Sequence, residues 1–293
     1  MLIKSEIIQH ELWGRVVSLC NDDVELQVMI DKGPRIIGLF FKDKENIFFE
    51  DVKDEVSVPE EKLNIFGANN GWHAFGGHRL WVAPETDVRT YYPDNNQVDF
   101  RQEGNKFIFT SPIEKWTNLQ KQMVIEFIED KITVTYYLTN KGAFAIKCSP
   151  WASTAVRPGG VCILPQCKKH SGLSANTALS IWPYTQLNDS RFEIKQDYFL
   201  VHATEEDREF KIGYFCEDGW AGYVIDGVMF KKEFSSECNV HYPSYGSNIE
   251  IYTCKDMLEI ESVGKLQIIK PEETVSHIEH WSVSLFNEKS KLY

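Results

Sequence analysis

Period-two alternation of apolar and polar residues is the feature that most restricts how this chain can fold. Val24, Leu26, Val28 and Ile30 interleave with Glu25, Gln27, Met29 and Asp31. Side chains of a strand point alternately to its two faces, so the apolar set shares one face. Ile132, Val134, Tyr136 and Leu138 alternate in the same way with Thr133, Thr135, Tyr137 and Thr139. Turn residues separate such runs. Gly104-Asn105 lies between 98–101 and 107–110, and Glu129-Asp130-Lys131 between 123–128 and 132–138. Asp226-Gly227 lies between 223–225 and 228–230, a pair suited to a two-residue hairpin because both central residues need positive φ. Lys255-Asp256 predicts another hairpin between 248–253 and 257–261, and the last strand is expected over 274–285. Helical periodicity is scarce; one helical turn is expected over 58–63, with Pro59 near its start. Many short strands bounded by turns predict an all-β chain, a large antiparallel sandwich or barrel. With no repeat or linker across 293 residues, one domain over 1–293 is expected, and two smaller β-domains are the alternative.

Composition narrows the function. Against 43 acidic residues stand 31 basic ones, a net charge of −12, which disfavours nucleic acid as a partner because phosphates are held by clustered Lys and Arg. The seven cysteines are odd in number, scattered, and contain no Cys-x-x-Cys. That argues for free thiols in a reducing compartment rather than a disulfide framework or a thiolate zinc site. No apolar signal-peptide core opens the sequence, and apolar stretches such as 36–41 are strand-sized, so a cytoplasmic location with no membrane partner is expected. Aromatic residues make up 13% of the chain, too many for a disordered one, and some are expected to line a surface for a flat, partly apolar ligand.

Four segments carry the candidate chemistry. In the first, 69–85, two His, one Arg, two Trp and a Glu surround Gly76-Gly77; the glycines permit a tight turn or a close backbone approach. If 77–83 is a strand, Arg79 and Trp81 share one face and His78 and Leu80 the other. A guanidinium beside an aromatic plane suits a sugar: it donates a fork of hydrogen bonds to adjacent hydroxyls while the ring covers the C–H face. The alternative is a core Trp with a satisfied Arg79–Glu85 pair. His73 and His78, five apart, match neither a helical nor a strand face, so no metal site is expected. The second and third segments, 148–160 and 179–192, set Trp151 and Trp182 beside prolines and polar residues. This predicts rim loops rather than central strands. In the fourth, 257–264, Leu258 and Ile260 face the core, so Glu259 and Glu261 share the opposite face. Two carboxylates so placed repel, and one pKa can rise; a solvated outer face is the alternative.

Taken together the segments resemble the galactose mutarotase-like superfamily, most closely an uncharacterised bacterial family within it. The matching runs are Gly-Gly-His-Arg-Leu-Trp-x-Ala-Pro-Glu at 76–85, Ser-Pro-Trp-Ala-x-Thr at 149–154, and Leu-x-x-Trp-Pro-Tyr-Thr-x-x-x-Asp-x-Arg-Phe at 179–192. Leu-Glu-x-Glu-x-x-Gly at 258–264 and a His-x-Glu-x-Trp-like end at 277–281 complete the set. The resemblance implies a β-supersandwich with a ligand cleft on a concave sheet face. It also implies aldose 1-epimerase chemistry: a Glu takes the proton of the C1 hydroxyl, a His protonates the ring oxygen, and the opened ring recloses on the other face of C1. No cofactor is implied, because only protons move.

Carried over by position, Glu259 stands where the mutarotase base would be and Arg79 where a sugar-binding arginine would be. Trp151 falls where the acid histidine would be, and an indole only donates. His73 and His78 are therefore the expected acids, with Trp81, Trp151, Trp182, Glu85 and Glu261 as further sugar contacts. The expected partner is a small carbohydrate. A non-catalytic sugar-binding protein and a structural β-scaffold are the alternatives.

Overall fold

In a computed structural model residues 3–58 and 71–287 are described. Among them the chain is built almost wholly from antiparallel strands in two large sheets. In one sheet the order is Lys4–His10, Gly14–Cys20, Val24–Met29, Arg35–Phe41, His78–Ala83, Ile146–Val156, Leu258–Val263, Ile249–Thr253, Phe210–Tyr214 and Leu179–Ile181. An eleventh strand, Gln267–Ile269, extends the pairing of Ile146–Val156. In the other sheet the order is Phe192–Ile194, Tyr198–His202, Val161–Pro165, Trp220–Ile225, Val228–Phe234, Thr274–Leu285, Lys131–Asn140, Leu119–Ile128, Lys106–Thr110 and Asp99–Glu103.

The alternation read from the sequence corresponds to these strands. Val24, Leu26 and Val28 are buried, as are Ile132, Val134, Tyr136 and Leu138. Their apolar faces meet side chains of both sheets in one continuous core, which removes the apolar set from water. Asp226 and Gly227 adopt φ of 49° and 73° between Trp220–Ile225 and Val228–Phe234. Glu129 takes the positive φ, 55°, in the turn joining Leu119–Ile128 to Lys131–Asn140. Val58 belongs to a two-residue strand paired with Trp72–His73; the rest of the helical turn expected over 58–63 lies outside the described residues.

Cys148–Val156 is not a loop. Ile146–Val156 is a central strand between His78–Ala83 and Leu258–Val263, with Pro150 inside it. Pro150 is tolerated because its missing N–H faces the point where the partner changes. Residues 146–148 pair with Gln267–Ile269, residues 151–156 pair with Leu258–Val263, and the Pro150 carbonyl accepts from Gly264 N at 2.8 Å in the gap. Leu179–Ile181 is an edge strand, and Trp182 follows it at the start of a turn.

All seven cysteines are unpaired, three of them buried. Among the described residues no helix is long and apolar enough to cross a membrane.

Candidate functional site

Strand register assembles a cleft on the face of the eleven-stranded sheet that is turned away from the core. Cross-strand partners lie on the same face of a sheet. Three rows therefore run across it: Arg79–Ser153–Glu261–Glu250, then Ala155–Glu259–Tyr252–Lys211, then Trp81–Trp151–Val263. All of these but Glu250 and Val263, together with Trp72, Tyr91, Trp182 and Tyr184, line a cavity of about 380 Å³, within the range of small-molecule sites.

The walls at one end are aromatic. Trp72, Trp81 and Trp151 are all but buried and pack with Ala74, Ala83 and Val263. Trp81 and Trp151 meet edge to face at 5.0 Å between ring centroids. The Arg79 guanidinium sits between Trp72 and Trp81, 4.4 and 4.1 Å from their ring centroids. Burial, with Arg35 nearby, pulls Arg79 down to about 9, and Asp94 and Glu259 oppose that pull; it stays charged at neutral pH. Its Nη1 is 4.0 Å from Asp94 and has no hydrogen-bond partner among the described residues.

The floor carries the carboxylates. Glu259 is half-buried and accepts from Ser153 Oγ at 2.9 Å. Glu261 is fully buried; its Oε2 accepts from Trp151 Nε1 at 3.0 Å and from Lys211 Nζ at 2.8 Å. Lys211 also meets Glu250 at 3.0 Å and lies 4.9 Å from the ring centroids of both Trp151 and Trp182. Burial works against the Lys211 charge, but Glu261 and Glu250 overcome it and raise the ammonium above its usual value. Burial, reinforced by Glu259 and Glu250 and opposed by Lys211, raises the Glu261 carboxyl well above the carboxylate range. At the rim Glu85 accepts from Tyr91 at 2.6 Å and Glu209 from Tyr252 at 2.8 Å.

The structure thus brings Arg79, Trp81, Glu85, Trp151, Trp182, Glu259 and Glu261 to one cleft. It does not bring His73 or His78 there. His73 is drawn to Asp54, with Nδ1 2.5 Å from its carboxylate, and its ring stacks on Phe75. His78 lies on the opposite face of its strand, fully buried between the sheets, with Nδ1 2.7 Å from Thr154 Oγ1 and its ring edge-on to Trp281. None of the eight histidines lines the cleft. Gly76 and Gly77 serve a close backbone approach. Both have positive φ, and a Cβ there would sit 2.0 Å from Phe49 O and 2.2 Å from Ile36 O respectively.

Lys211, Arg35, Tyr252 and Glu250 lie outside the four candidate segments of the sequence. Lys211 leaves a weak trace, a lone cation in the apolar run Phe210-Lys211-Ile212. Arg35 donates from Nη1 to Gly76 O at 2.9 Å and from Nη2 to Asp94 at 2.9 Å, bracing the Gly-Gly turn. Among the described residues no three His, Cys, Asp or Glu side chains converge to hold a metal ion.

No protein-family model and no curated protein sequence matches the chain. Solved structures do. One is a TPR-domain containing protein from Parabacteroides distasonis, with TM-score 0.60, 14% identity and 95% of this chain covered. This chain spans about half, 49%, of that protein's length. A galactose mutarotase-like protein from Lactobacillus casei aligns with TM-score 0.58 and 8% identity over 92% of this chain and 100% of its own. A candidate aldose 1-epimerase from Escherichia coli K12 aligns with TM-score 0.55 and 13% identity over 92% of this chain and 99% of its own. Two large antiparallel sheets, matched by these structures over 92% to 95% of this chain, give it the galactose mutarotase-like fold.

Proposed function

We propose that this chain binds a free aldose in the cleft and interconverts its anomers, with Glu259 as the general base. The observation that carries the reading is the placement of Glu259. It is the half-buried carboxylate of the floor, held by Ser153, between an aromatic wall that contains Arg79 and the Tyr252 side of the cleft. A pyranose seated there would lay a C–H face on aromatic edges and present hydroxyls to Arg79, whose Nη1 has no hydrogen-bond partner among the described residues. Its C1 hydroxyl would give a proton to Glu259 as the C1–O5 bond opens.

The charges favour an uncharged sugar. Arg35 is paired with Asp94, and Lys211 with Glu250 and Glu261, whereas the exposed charged groups at the rim are Glu85 and Glu209. An anionic sugar would meet those carboxylates first.

Saturation-transfer NMR on a panel of aldoses tests the proposal. Exchange between α and β anomers should speed up for at least one sugar, and Glu259→Gln should lower that rate by about 10²–10⁴-fold, the usual contribution of a general base. No acceleration with any aldose would reject the catalytic reading. A second reading, a sugar-binding protein without turnover, is favoured by one observation: no imidazole lines the cleft. It predicts sugar-dependent tryptophan fluorescence with no anomer exchange.

A further inference from the structure

We propose that Glu261 is the proton donor of this cleft, a neutral carboxylic acid that Trp151 and Lys211 hold beside the base Glu259. This rests on the mutarotase reading above and deepens it: the acid comes from the strand that carries the base, and no histidine is needed.

Charge balance is the first support. Glu250, Glu261 and Lys211 are all buried, and Lys211 Nζ meets both carboxyl groups, at 3.0 and 2.8 Å. One ammonium neutralises one carboxylate. A second buried carboxylate on the same ammonium leaves an uncompensated charge, and taking up a proton is the cheaper outcome.

Geometry assigns that proton to Glu261. Its Oε2 accepts from both Trp151 and Lys211, while its Oε1 is buried with no partner among the described residues, and Glu261 is one of the residues that line the cleft. Glu259, two residues along on the same face, adds repulsion against a charged Glu261. The other charged and titratable groups facing it are Arg79 across Ser153, Tyr184 at the rim, and Lys232 behind the sheet. Arg79 lies near Asp94, and Lys232 is matched by Glu279 at 2.8 Å. The upward shift of Glu261 described above agrees with this assignment. Trp151 therefore keeps a role at the position where a histidine would act: its indole N–H fixes the carboxyl that carries the proton.

The step balances without a co-reactant. Glu259 accepts the proton of the C1 hydroxyl, the O1 electrons form the C1 carbonyl, the C1–O5 bond breaks, and O5 takes the proton of Glu261. After rotation about C1–C2, O5 returns that proton to Glu261 as it attacks the other face of C1, and Glu259 protonates the carbonyl oxygen.

Two measurements test the proposal. The infrared spectrum of the wild-type protein at neutral pH should contain a protonated-carboxyl C=O band that is lost in Glu261→Gln. The same band should be lost in Glu250→Gln, because removing the neighbouring carboxylate frees Glu261 to ionise against Lys211. In the NMR exchange assay Glu261→Gln should lower the rate by about 10²–10⁴-fold, with sugar binding by tryptophan fluorescence retained. Glu250→Gln should move the alkaline limb of the rate profile to lower pH. A difference spectrum without the band overturns the proposal whatever the activity. A Glu261→Gln variant that exchanges anomers as fast as the wild type overturns the donor role. A wild type that accelerates no sugar sinks the mutarotase reading and the donor role with it, while the infrared result still decides where the proton sits.

Discussion

Arg79 illustrates what a single residue does here. Its guanidinium is held between two indoles, so its position is set by stacking as much as by charge. Buried donors left without partners are costly unless a ligand or water satisfies them, and Arg79 Nη1 has no hydrogen-bond partner among the described residues. Arg79→Lys keeps a positive charge but loses both the plane and the fork. In a fluorescence titration with the aldose it should weaken binding by about 1.5–3 kcal/mol, the worth of hydrogen bonds to a charged group, or roughly ten- to 150-fold. Unchanged affinity would make Arg79 a staple between Trp72 and Trp81 and nothing more. Arg79, Glu259 and Glu261 stand in sequence motifs, and strand parity puts Glu259 and Glu261 on one face and Arg79 beside Trp81 on another strand. The same parity sets His78, expected as an acid, on the other face of that strand, where it meets the core. Lys211 leaves only a weak local trace: its importance comes from Glu250 and Glu261, 39 and 50 residues away, and only strand pairing brings those three together.

At the scale of elements, alternation and turn chemistry were the legible part. Hairpins such as Trp220–Ile225 with Val228–Phe234, and the final strand Thr274–Leu285, are local and carry their own signals. The strand order was not legible, since pairing such as Ile146–Val156 beside His78–Ala83 depends on distant residues. Ile146–Val156 itself was obscured by Pro150, whose tolerance depends on a partner change some 115 residues further along the chain, around Gly264. That strand sets the depth of the cleft. Trp151 forms its wall, while Ser153 and Ala155 are small and leave the floor open beside Glu259. Ala155→Leu should fill that space, because its side chain points into the cavity rather than into the core. The expected outcome is loss of measurable sugar binding with a melting temperature within a few degrees of wild type, since no packed core group is displaced. Normal binding in this variant would mean that the ligand does not reach the floor.

At the scale of the whole molecule, polar groups as well as apolar ones join the two sheets. Lys232 and Glu279 stand on one sheet, fully buried and 2.8 Å apart. Lys232 Nζ also donates to Thr154 Oγ1 at 2.9 Å and to Ile260 O at 3.1 Å on the strands that carry Ser153 and Glu259 on their other face. His277 Nε2 lies 2.6 Å from Ser262 Oγ, which itself donates to Glu279, so the network touches the back of the cleft floor. Burial holds His78 down at about 3 and His277 at about 4, so both are neutral in the folded protein at pH 7. Lys232, His78 and His277 outweigh the burial of Glu279 and keep it at about 2. As pH falls below about 6.5, the unfolded chain protonates His78 and His277 while the folded chain does not, so the unfolded state binds more protons at these two positions and stability declines with acid. Each histidine contributes about 1.4 kcal/mol per pH unit between its unfolded and folded pKa. Below about 4.5 Glu279 acts in the same direction, because the unfolded carboxyl takes a proton that the folded one refuses down to about 2. Urea midpoints measured stepwise from neutral pH to about pH 4 should therefore fall, and His277→Gln should make the fall shallower by one histidine's share. An unaltered slope in that variant would mean that His277 is charged in the folded protein, and that the polar network between the sheets carries a different proton count from the one its burial requires.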